Sequence, residues 1–372
     1  MDGPQSVELM SVGPDEVLVT FVTDPGTEVT TRVGETTVTT TGPWHAARIT
    51  GLEPDTTYTL AVEGAEPHEY LPAEVRTLAQ PRGRLVATLA TVNDVHFGEQ
   101  ECGHLGAPHE DIGPFFRSAP GDPPYPLTMN RAVIDEIRRL DPDVVVAKGD
   151  LTAYGGEDEY ASFLDAYGVF GNRLAHVRGN HDAMQDPELG LEGAPYVVAL
   201  DGVTLAVVDT VIPGTDTGQL SADQVHWLDE VAATTSGPVL VFGHHQLWNL
   251  ESAEREARYF GINPDDSDAL AAVVSRHDNI AGYFAGHTHR NRVRRFDRVR
   301  GVPFVEVACT KDYPGAWAEY RIYEGGYTQL VRRVTSDPAA FAWAETTRAM
   351  FLGLYGDYAL GPLHWRCFTE SF

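Results

Sequence analysis

The chain has 372 residues, of which 54 are acidic and 27 are basic, so its formal net charge is -27 at pH 7. This length is enough to bury a large core in more than one domain, whereas the charge repels phosphate backbones and argues against a polymeric nucleic acid partner. The sequence shows no apolar run that could span a bilayer and no signal segment, so we expect no membrane partner. Three cysteines cannot make a disulfide framework, and we therefore expect a cytoplasmic protein.

The first eighty residues predict a small all-β module. Short β-rich segments alternate there with Gly, Pro and Asp turns, a pattern typical of a β-sandwich. Leu52-x-Pro54-x-Thr56-x-Tyr58, followed by Val62, resembles the fibronectin type III signature, in which the tyrosine forms a corner between two sheets. We assign residues 1–80 to this module, as a packing or interaction domain, and 80–83 to a linker. The predicted strands are 7–10, 17–22, 28–33, 36–40, 46–50, 57–62 and 74–78.

Five polar motifs follow, and each comes directly after an apolar, β-branched run. Such runs predict buried strands, and the carboxyl ends of parallel strands are where open α/β sheets bind ligands. Glycines at 149, 179, 243 and 286 allow the backbone to turn sharply and to approach a metal or phosphate. The predicted strands are 85–92, 144–147, 174–177, 239–242 and 280–285, and the motifs are Asp94-Val95-His96, Gly149-Asp150, Gly179-Asn180-His181-Asp182, His244-His245 and Gly286-His287-Thr288-His289.

Two further segments have less specific patterns. The Gly/Pro-rich stretch 99–128 leaves from the first motif, and a loop this long forms either a rim of the site or a surface excursion. Residues 247–266 carry aromatic side chains that either stack on a nucleobase or pack within the protein. The last segment, 336–372, has helix-like apolar spacing, so we expect a helical extension that packs on the sheet or on a second subunit in a homodimer.

The residue types of the five motifs point to two adjacent metal ions. A pair of divalent ions needs a carboxylate that bridges them, together with oxygen and nitrogen donors that leave positions open for water and phosphate. Asp150 is the natural bridge, because it stands alone among glycines and small residues. Asp94 and His96, one residue apart, can turn toward one ion. No cysteine lies in the motifs, which argues against a closed structural zinc site.

The series D-x-H, G-D, G-N-H-D, H-H and G-H-T-H resembles the calcineurin-like metallophosphoesterase superfamily over roughly residues 85–330, and we assign residues 84–335 to this domain. Within the superfamily, Gly149-Asp150-Leu151-Thr152 and Gly218-Gln219-Leu220 resemble the class III branch similar to cyclic-nucleotide phosphodiesterases. The resemblance implies a four-layer α/β/β/α sandwich and two ions of Mn, Fe or Zn, divalent or of mixed valence. It places His181 beside the phosphoryl group, with Asp182 orienting its ring. It also implies one ion on Asp94, His96, Asp150 and His289 and the other on Asp150, Asn180, His244 and His287.

We therefore expect a phosphoric ester hydrolase that acts on small phosphodiesters, including cyclic nucleotides, through a hydroxide between the metals. A phosphomonoesterase or a nucleotide pyrophosphatase would use the same ligands. A non-catalytic interaction protein that keeps the fold is the alternative from a different class, although such proteins usually lose ligands and this chain has all seven.

Overall fold

The computed structural model describes residues 3–104, 113–191 and 193–372. None of the helices within these ranges is long and apolar enough to cross a membrane. The α-helices are α1 (Tyr125–Leu140), α2 (Glu157–Tyr167), α3 (Ala222–Thr234), α4 (Pro264–Arg276), α5 (Pro338–Thr347), α6 (Leu354–Leu360) and α7 (Leu363–Arg366). The strands are β1 (Gln5–Val12), β2 (Glu16–Val22), β3 (Glu28–Val33), β4 (Thr36–Thr41), β5 (Trp44–Thr50), β6 (Thr57–Val62), β7 (Glu74–Arg76), β8 (Leu85–Val92), β9 (Val144–Lys148), β10 (Leu174–Val177), β11 (Tyr196–Leu200), β12 (Val203–Val207), β13 (Val239–Phe242), β14 (Ile280–Ala285), β15 (Arg292–Arg294), β16 (Phe304–Glu306), β17 (Ala316–Tyr323), β18 (Gly326–Arg333) and β19 (Cys367–Ser371).

The amino-terminal part forms two facing sheets, as its strand pattern predicts. One sheet has the order β1-β2-β5 and the other the order β4-β3-β6-β7. Val19, Phe21 and Ile49 of the first sheet pack with Val33 and Leu60 of the second in one buried cluster. The Tyr58 hydroxyl accepts a hydrogen bond from the Glu53 backbone amide at 2.9 Å. The relation of this module to fibronectin type III domains stays a prediction.

The rest of the chain has the predicted α/β architecture, with two six-stranded sheets packed face to face. The first has the order β10-β9-β8-β17-β18-β19, and the second has the order β11-β12-β13-β14-β16-β15. Strands β8, β9 and β10 are parallel to one another, and so are β12, β13, β14 and β16. The carboxyl ends of the predicted site strands therefore share one edge within each sheet.

Alternation along each strand divides the apolar side chains between layers, because successive side chains point to opposite faces. In β9, Val144 and Val146 join the core between the two sheets, whereas Val145 and Ala147 pack toward α1 and α2. The outer face of the second sheet is covered by α3 and α4. The layers thus run helix, sheet, sheet, helix.

The carboxyl-terminal residues depart from the expected helical extension. After α5, α6 and α7 the chain enters β19, which pairs antiparallel with β18 and so completes the first sheet. Only five residues make this strand. Helices α5, α6 and α7 lie within the predicted extension, and the prediction fails only for these five residues. So short a segment shows too little of a period to distinguish a strand from a helix, and pairing with β18 decides its conformation.

The amino-terminal module is joined to the first sheet by buried ion pairs. Glu8 on β1 is fully buried, and its carboxylate accepts the Tyr313 hydroxyl at 2.6 Å. It also lies 3.4 Å from Arg333 and 2.5 Å from Arg348. Removing one partner of a buried pair commonly costs about 3–5 kcal/mol, because the other charge is left unpaired in the interior.

A second buried carboxylate, Glu16 on β2, repeats the arrangement. It lies 2.6 Å from Arg332 and 2.5 Å from Arg321. Burial by itself would raise the pKa of Glu16, but Arg332 and Arg48 outweigh that effect and lower this pKa to about 2. Glu16 is therefore ionised whenever the protein is folded near neutral pH.

We predict that Glu8→Gln lowers the free energy of unfolding by about 3 kcal/mol, because Arg348 and Tyr313 lose their charged partner. The matched control is Asp55→Asn, which removes an exposed partner 2.8 Å from Arg76 and should cost less than about 1 kcal/mol. Urea denaturation of both variants measures the difference. Equal stability of the two variants would show that the Glu8 cluster does not hold the module in place.

Candidate metal centre

Five loops bring the seven predicted ligands together at one edge of the two sheets. The loops after β8 and β9 pair with each other beyond the strand ends, since the Asp94 amide donates to Gly149 and the His96 amide donates to Asp150, both at 3.0 Å. Both sheets contribute to the cluster. Asp94 and His96 follow β8, Asp150 follows β9, Asn180 follows β10, His244 follows β13, and His287 and His289 follow β14.

Asp150 lies between two groups of donors. Its Oδ2 is 3.6 Å from His96 Nε2, and its Oδ1 is 3.3 Å from His244 Nε2. His244 Nε2 is also 3.1 Å from Asn180 Oδ1 and 3.2 Å from His287 Nδ1. The two oxygens of one carboxylate thus face two different sets of nitrogen and oxygen donors.

The group on the Asp94 side is equally compact. Asp94 Oδ1 is 3.4 Å from His289 Nε2, and both carboxylate oxygens accept the His287 backbone amide, at 3.1 and 3.0 Å. Asn93 donates its amide to Asp94 at 2.5 Å and to the Val307 carbonyl at 3.0 Å. Asn93 belongs to none of the five predicted motifs, yet this residue fixes the orientation of a candidate ligand.

Burial keeps two of the histidines in the neutral form that binds metals. Burial, with the neighbouring His181 and Lys311, holds the pKa of His96 well below its ordinary value. Burial, with the neighbouring His245 and His244, does the same to the pKa of His287. One nitrogen of each ring therefore keeps a free lone pair at neutral pH.

The pKa values of Asp150 and His244 shift in opposite directions. Burial opposes ionisation of Asp150, but His244 and His181 outweigh it and hold the pKa of this carboxyl well below its usual range. Burial likewise opposes protonation of His244, yet Asp150 raises the pKa of His244 to about 9. Both shifts show how strongly this buried carboxylate attracts positive charge.

The backbone of the ligand loops is left-handed at five of the candidate ligands. This conformation costs about 1–2 kcal/mol for a residue with a Cβ atom, although Asp and His adopt it more often than most residue types. Strain of this kind persists where the surrounding structure enforces it, often at functional sites. The φ angles are 51° at Asp94, 44° at His96, 50° at Asp150, 68° at His287 and 53° at His289.

The glycines of the motifs leave room for the ligands. A Cβ atom at Gly179 would overlap Asp150 Oδ1 and lie 2.8 Å from His244 Cε1. One at Gly286 would lie 2.7 Å from Asp94 Oδ2. Distances below 3.0 Å are not tolerated by real Cβ atoms, so these positions must lack a side chain if the ligands are to converge.

The donor set fits metal ions. Within the described part of the chain, the buried ring nitrogens Nδ1 and Nε2 of His96 and Nε2 of His287 have no hydrogen-bond partner, a state that costs free energy unless another group binds them. Donor atoms of Asp94, His96, Asp150 and His289 lie within 4.8 Å of one another, and so do those of His244, His245 and His287. Oxygen and imidazole donors without thiolates suit Mn, Fe and Zn.

His245 belongs to the second group, although the sequence analysis left it unassigned. Its Nδ1 lies 2.9 Å from Thr210 Oγ1, while its Nε2 is buried without a partner among the described residues. Adjacent residues of a strand point to opposite faces, but His244 and His245 follow the end of β13, where that rule no longer applies. The pair of adjacent histidines was the only feature of the sequence that could have identified His245 as a candidate ligand.

His181 lies beside the Asp94 group, and its place next to a phosphoryl group stays a prediction. Its ring is 4.5 Å from that of His96, and its backbone amide donates to Asp150 Oδ1 at 3.0 Å. The ring Nδ1 donates to the Ala153 carbonyl at 2.6 Å, because a carbonyl oxygen can only accept. This contact fixes the ring and leaves Nε2 for other partners.

The expectation that Asp182 orients His181 was wrong, because Ala153 does so. The buried Asp182 carboxylate accepts the backbone amides of Gly179 at 2.7 Å, Leu151 at 3.1 Å and Thr152 at 2.7 Å. Burial and the nearby Asp150 raise its pKa to about 6. Asp182 thus fastens the loop after β9 to the loop after β10, and it acts on the site through Asp150 and Asn180.

A buried lysine connects the two sheets below the site. The Lys148 ammonium donates to the Ala285 carbonyl at 2.7 Å, and the Lys148 carbonyl accepts His244 Nδ1 at 2.8 Å. The second contact leaves His244 Nε2 facing Asp150, as hydrogen bonds from the remote nitrogen do in metal-binding histidines.

Comparison with known proteins agrees with this geometry. The family model described as calcineurin-like phosphoesterase matches residues 87–291, which is more than half of the 372-residue chain and includes all seven candidate ligands. The chain is 24% identical over 219 residues to a probable cyclic nucleotide phosphodiesterase of Synechococcus sp., covering 57% of this chain and 84% of that protein.

A second relative is the cAMP/cGMP dual specificity phosphodiesterase of Mycobacterium tuberculosis, 30% identical over 188 residues. The match covers 47% of this chain and 56% of that protein, so the chain spans little more than half of this relative. Among solved structures, a dimetal phosphatase from Danio rerio superposes with a TM-score of 0.52 at 15% identity, covering 68% of this chain and 100% of that one. At such low identity, this likeness establishes the fold.

We predict that Gly179→Ala removes bound metal and lowers turnover by at least about 100-fold, since a displacement of about 1 Å in a catalytic group has effects of that size. The control is Gly237→Ala, where an added Cβ meets no atom within 4 Å. Metal analysis by mass spectrometry and hydrolysis of an aryl phosphodiester measure both variants. Full metal occupancy in Gly179→Ala would show that the loop can move without disturbing Asp150.

Proposed function

The chain belongs to the calcineurin-like phosphoesterase family, and on this premise we propose that it hydrolyses small phosphodiesters with the help of two metal ions. The observation that carries the proposal is the position of Asp150, whose two oxygens face His96 on one side and His244 on the other. The names of the two relatives described above, a probable cyclic nucleotide phosphodiesterase and a cAMP/cGMP dual specificity phosphodiesterase, support a diester substrate.

The two ions would be held by the two groups around that carboxylate. When bound, divalent ions lower the pKa of water and polarise phosphoryl oxygens, which is the chemistry that phosphate ester hydrolysis requires. The ligands of one would be Asp94, His96, Asp150 and His289, and those of the other Asp150, Asn180, His244 and His287. The donor types suit Mn, Fe or Zn.

His181 is the residue best placed to act on the leaving group. It lines a cavity of about 170 Å³ together with His96, His289, Lys311 and Tyr355. Its Nδ1 donates to Ala153, so in the protonated form of the ring, which carries a proton on both nitrogens, Nε2 is the nitrogen that can stabilise developing charge or give a proton to the leaving oxygen.

The net charge and the cavity volume limit the range of substrates. A net charge of -27 disfavours long polyanions at a distance, whereas the local field at the site would be set by bound ions. A cavity of about 170 Å³ is smaller than the roughly 300–1,000 Å³ that holds a drug-sized ligand. It therefore suits the phosphoryl group and one small alcohol.

We predict that protein loaded with Mn, Fe or Zn binds two ions per chain and hydrolyses bis(p-nitrophenyl) phosphate and 3′,5′-cyclic AMP faster than p-nitrophenyl phosphate. The monoester serves as the matched control, because it shares the leaving group of the aryl diester. A preference for the monoester would identify a phosphomonoesterase. No turnover of any ester by metal-loaded protein would favour a non-catalytic interaction protein.

We predict that His181→Ala keeps both ions, because Asn180 is the ligand in that loop, and lowers kcat by about 10²–10⁴-fold, the usual contribution of a positioned acid. Esters with an alkoxide leaving group should lose more than those with p-nitrophenolate, which leaves without a proton. Rate constants for the two leaving groups measure the difference. Equal losses for both would assign His181 to charge stabilisation alone.

A further inference from the structure

We propose that Phe260 is the platform on which a flat, apolar group of the substrate, such as a nucleobase, stacks. This inference rests on the proposed function and names the class of ester that the site prefers. The ring of Phe260 lies against the imidazole of His287, with centroids 3.9 Å apart and planes inclined by 27°. The residue is nonetheless 46% exposed, so one face covers a candidate ligand while the rest of the ring meets solvent.

Ring contact with a candidate ligand distinguishes Phe260 from an exposed apolar residue such as Val169. Single exposed apolar side chains are common on protein surfaces and need no special explanation. Val169, for example, is 56% exposed but lies in the turn after α2. Phe260 instead covers a histidine whose Nδ1 is 3.2 Å from His244 Nε2, so a group stacked on it would lie next to the phosphoryl position.

The backbone around Phe260 is fixed before any ligand arrives. The Gln246 side-chain amide donates to the Phe260 carbonyl. On the following residues, the Gly261 carbonyl accepts the Gly218 amide at 2.7 Å, and the Ile262 amide donates to Gln246 at 2.8 Å. A preorganised aromatic side chain loses little freedom on binding and therefore contributes more affinity.

The small cavity lined by His96, His181 and His289 supports the same conclusion. With a volume of about 170 Å³, it falls below the range for drug-sized ligands. A bulky ester group must then extend out of that cavity. Phe260 offers an apolar surface to a flat group that extends from the site on the His287 side. Every nucleobase has a face that can stack on an aromatic ring.

The test compares two diesters that differ in this group. The substrates are 3′,5′-cyclic AMP and glycerophosphoethanolamine, and the second has no ring to stack. For metal-loaded Phe260→Leu we expect KM for cyclic AMP to rise about five- to hundred-fold, the range of a stacked base. KM for the aliphatic diester should change less than about two-fold, and Phe260→Tyr should restore the value for cyclic AMP.

Two further measurements separate stacking from a structural role. The dissociation constant of AMP, measured by calorimetry on the metal-loaded protein, should rise in Phe260→Leu by the same factor as KM for cyclic AMP, while metal content stays at the wild-type level. Phe372→Leu is the matched control, because Phe372 is 42% exposed but lies far from the ligands. It follows β19, and the end of β19 pairs with Gly326 at the opposite edge of the sheet.

Each outcome has a definite meaning. An equal change for both diesters, or an unchanged dissociation constant for AMP, would overturn the platform. Wild-type protein that turns over neither diester would overturn the proposed function instead, and AMP binding would then decide the platform by itself.

Discussion

The burial of Asp94 and Asp150 is the constraint on which the rest of the site depends. Both carboxylates are at most 2% exposed, and a buried charge is costly unless opposite charge and hydrogen bonds surround it. The His244 imidazole and the backbone amides of His287 and His181 meet part of that need. Cations would meet the remainder, and among the described residues the buried ring nitrogens of His96 and Nε2 of His287 have no hydrogen-bond partner of their own. The left-handed ligand residues and the crowded glycines are the structural consequences of bringing so many donors to two carboxylates.

A second set of buried charges holds the fold together far from the site. Two glutamates of the amino-terminal module contact arginines on β18 of the first sheet. Glu8 contacts Arg333, and Glu16 contacts Arg332. Met10 and Leu18 of the module also belong to the apolar core that lies between the two large sheets. The interface therefore resembles the inside of a domain more than the partly polar surface typical between domains of one chain. The module supports β18, which is separated from the ligand strand β8 by β17 alone.

Much of this architecture could be predicted because the informative residues are local. Each motif follows an apolar run, and four of the five contain or adjoin a glycine, so the strands and the edge at which their motifs meet follow from periodicity and turn chemistry. Contacts between distant residues gave no such signal. Glu8 and Arg333 are 325 positions apart, and nothing in either neighbourhood marks them as partners. The contacts of Asp182 and Phe260 likewise depend on how loops from different strands meet, which spacing along the chain does not reveal.

The long separation of these ion partners also bears on how the protein is made. During translation Glu8 leaves the ribosome 325 residues before Arg333, and at about 5–20 residues per second this amounts to tens of seconds. Throughout that interval the two acidic side chains of the nascent module stay hydrated, and the apolar residues beside them lack their cover. The module can form its own sheets early, but its final place depends on Arg333 and Arg332 of β18, which are made much later. A chain that stalls before β18 is made would thus display an apolar surface of the kind that makes incompletely folded proteins prone to aggregation, which ties the appearance of active enzyme to the synthesis of that strand.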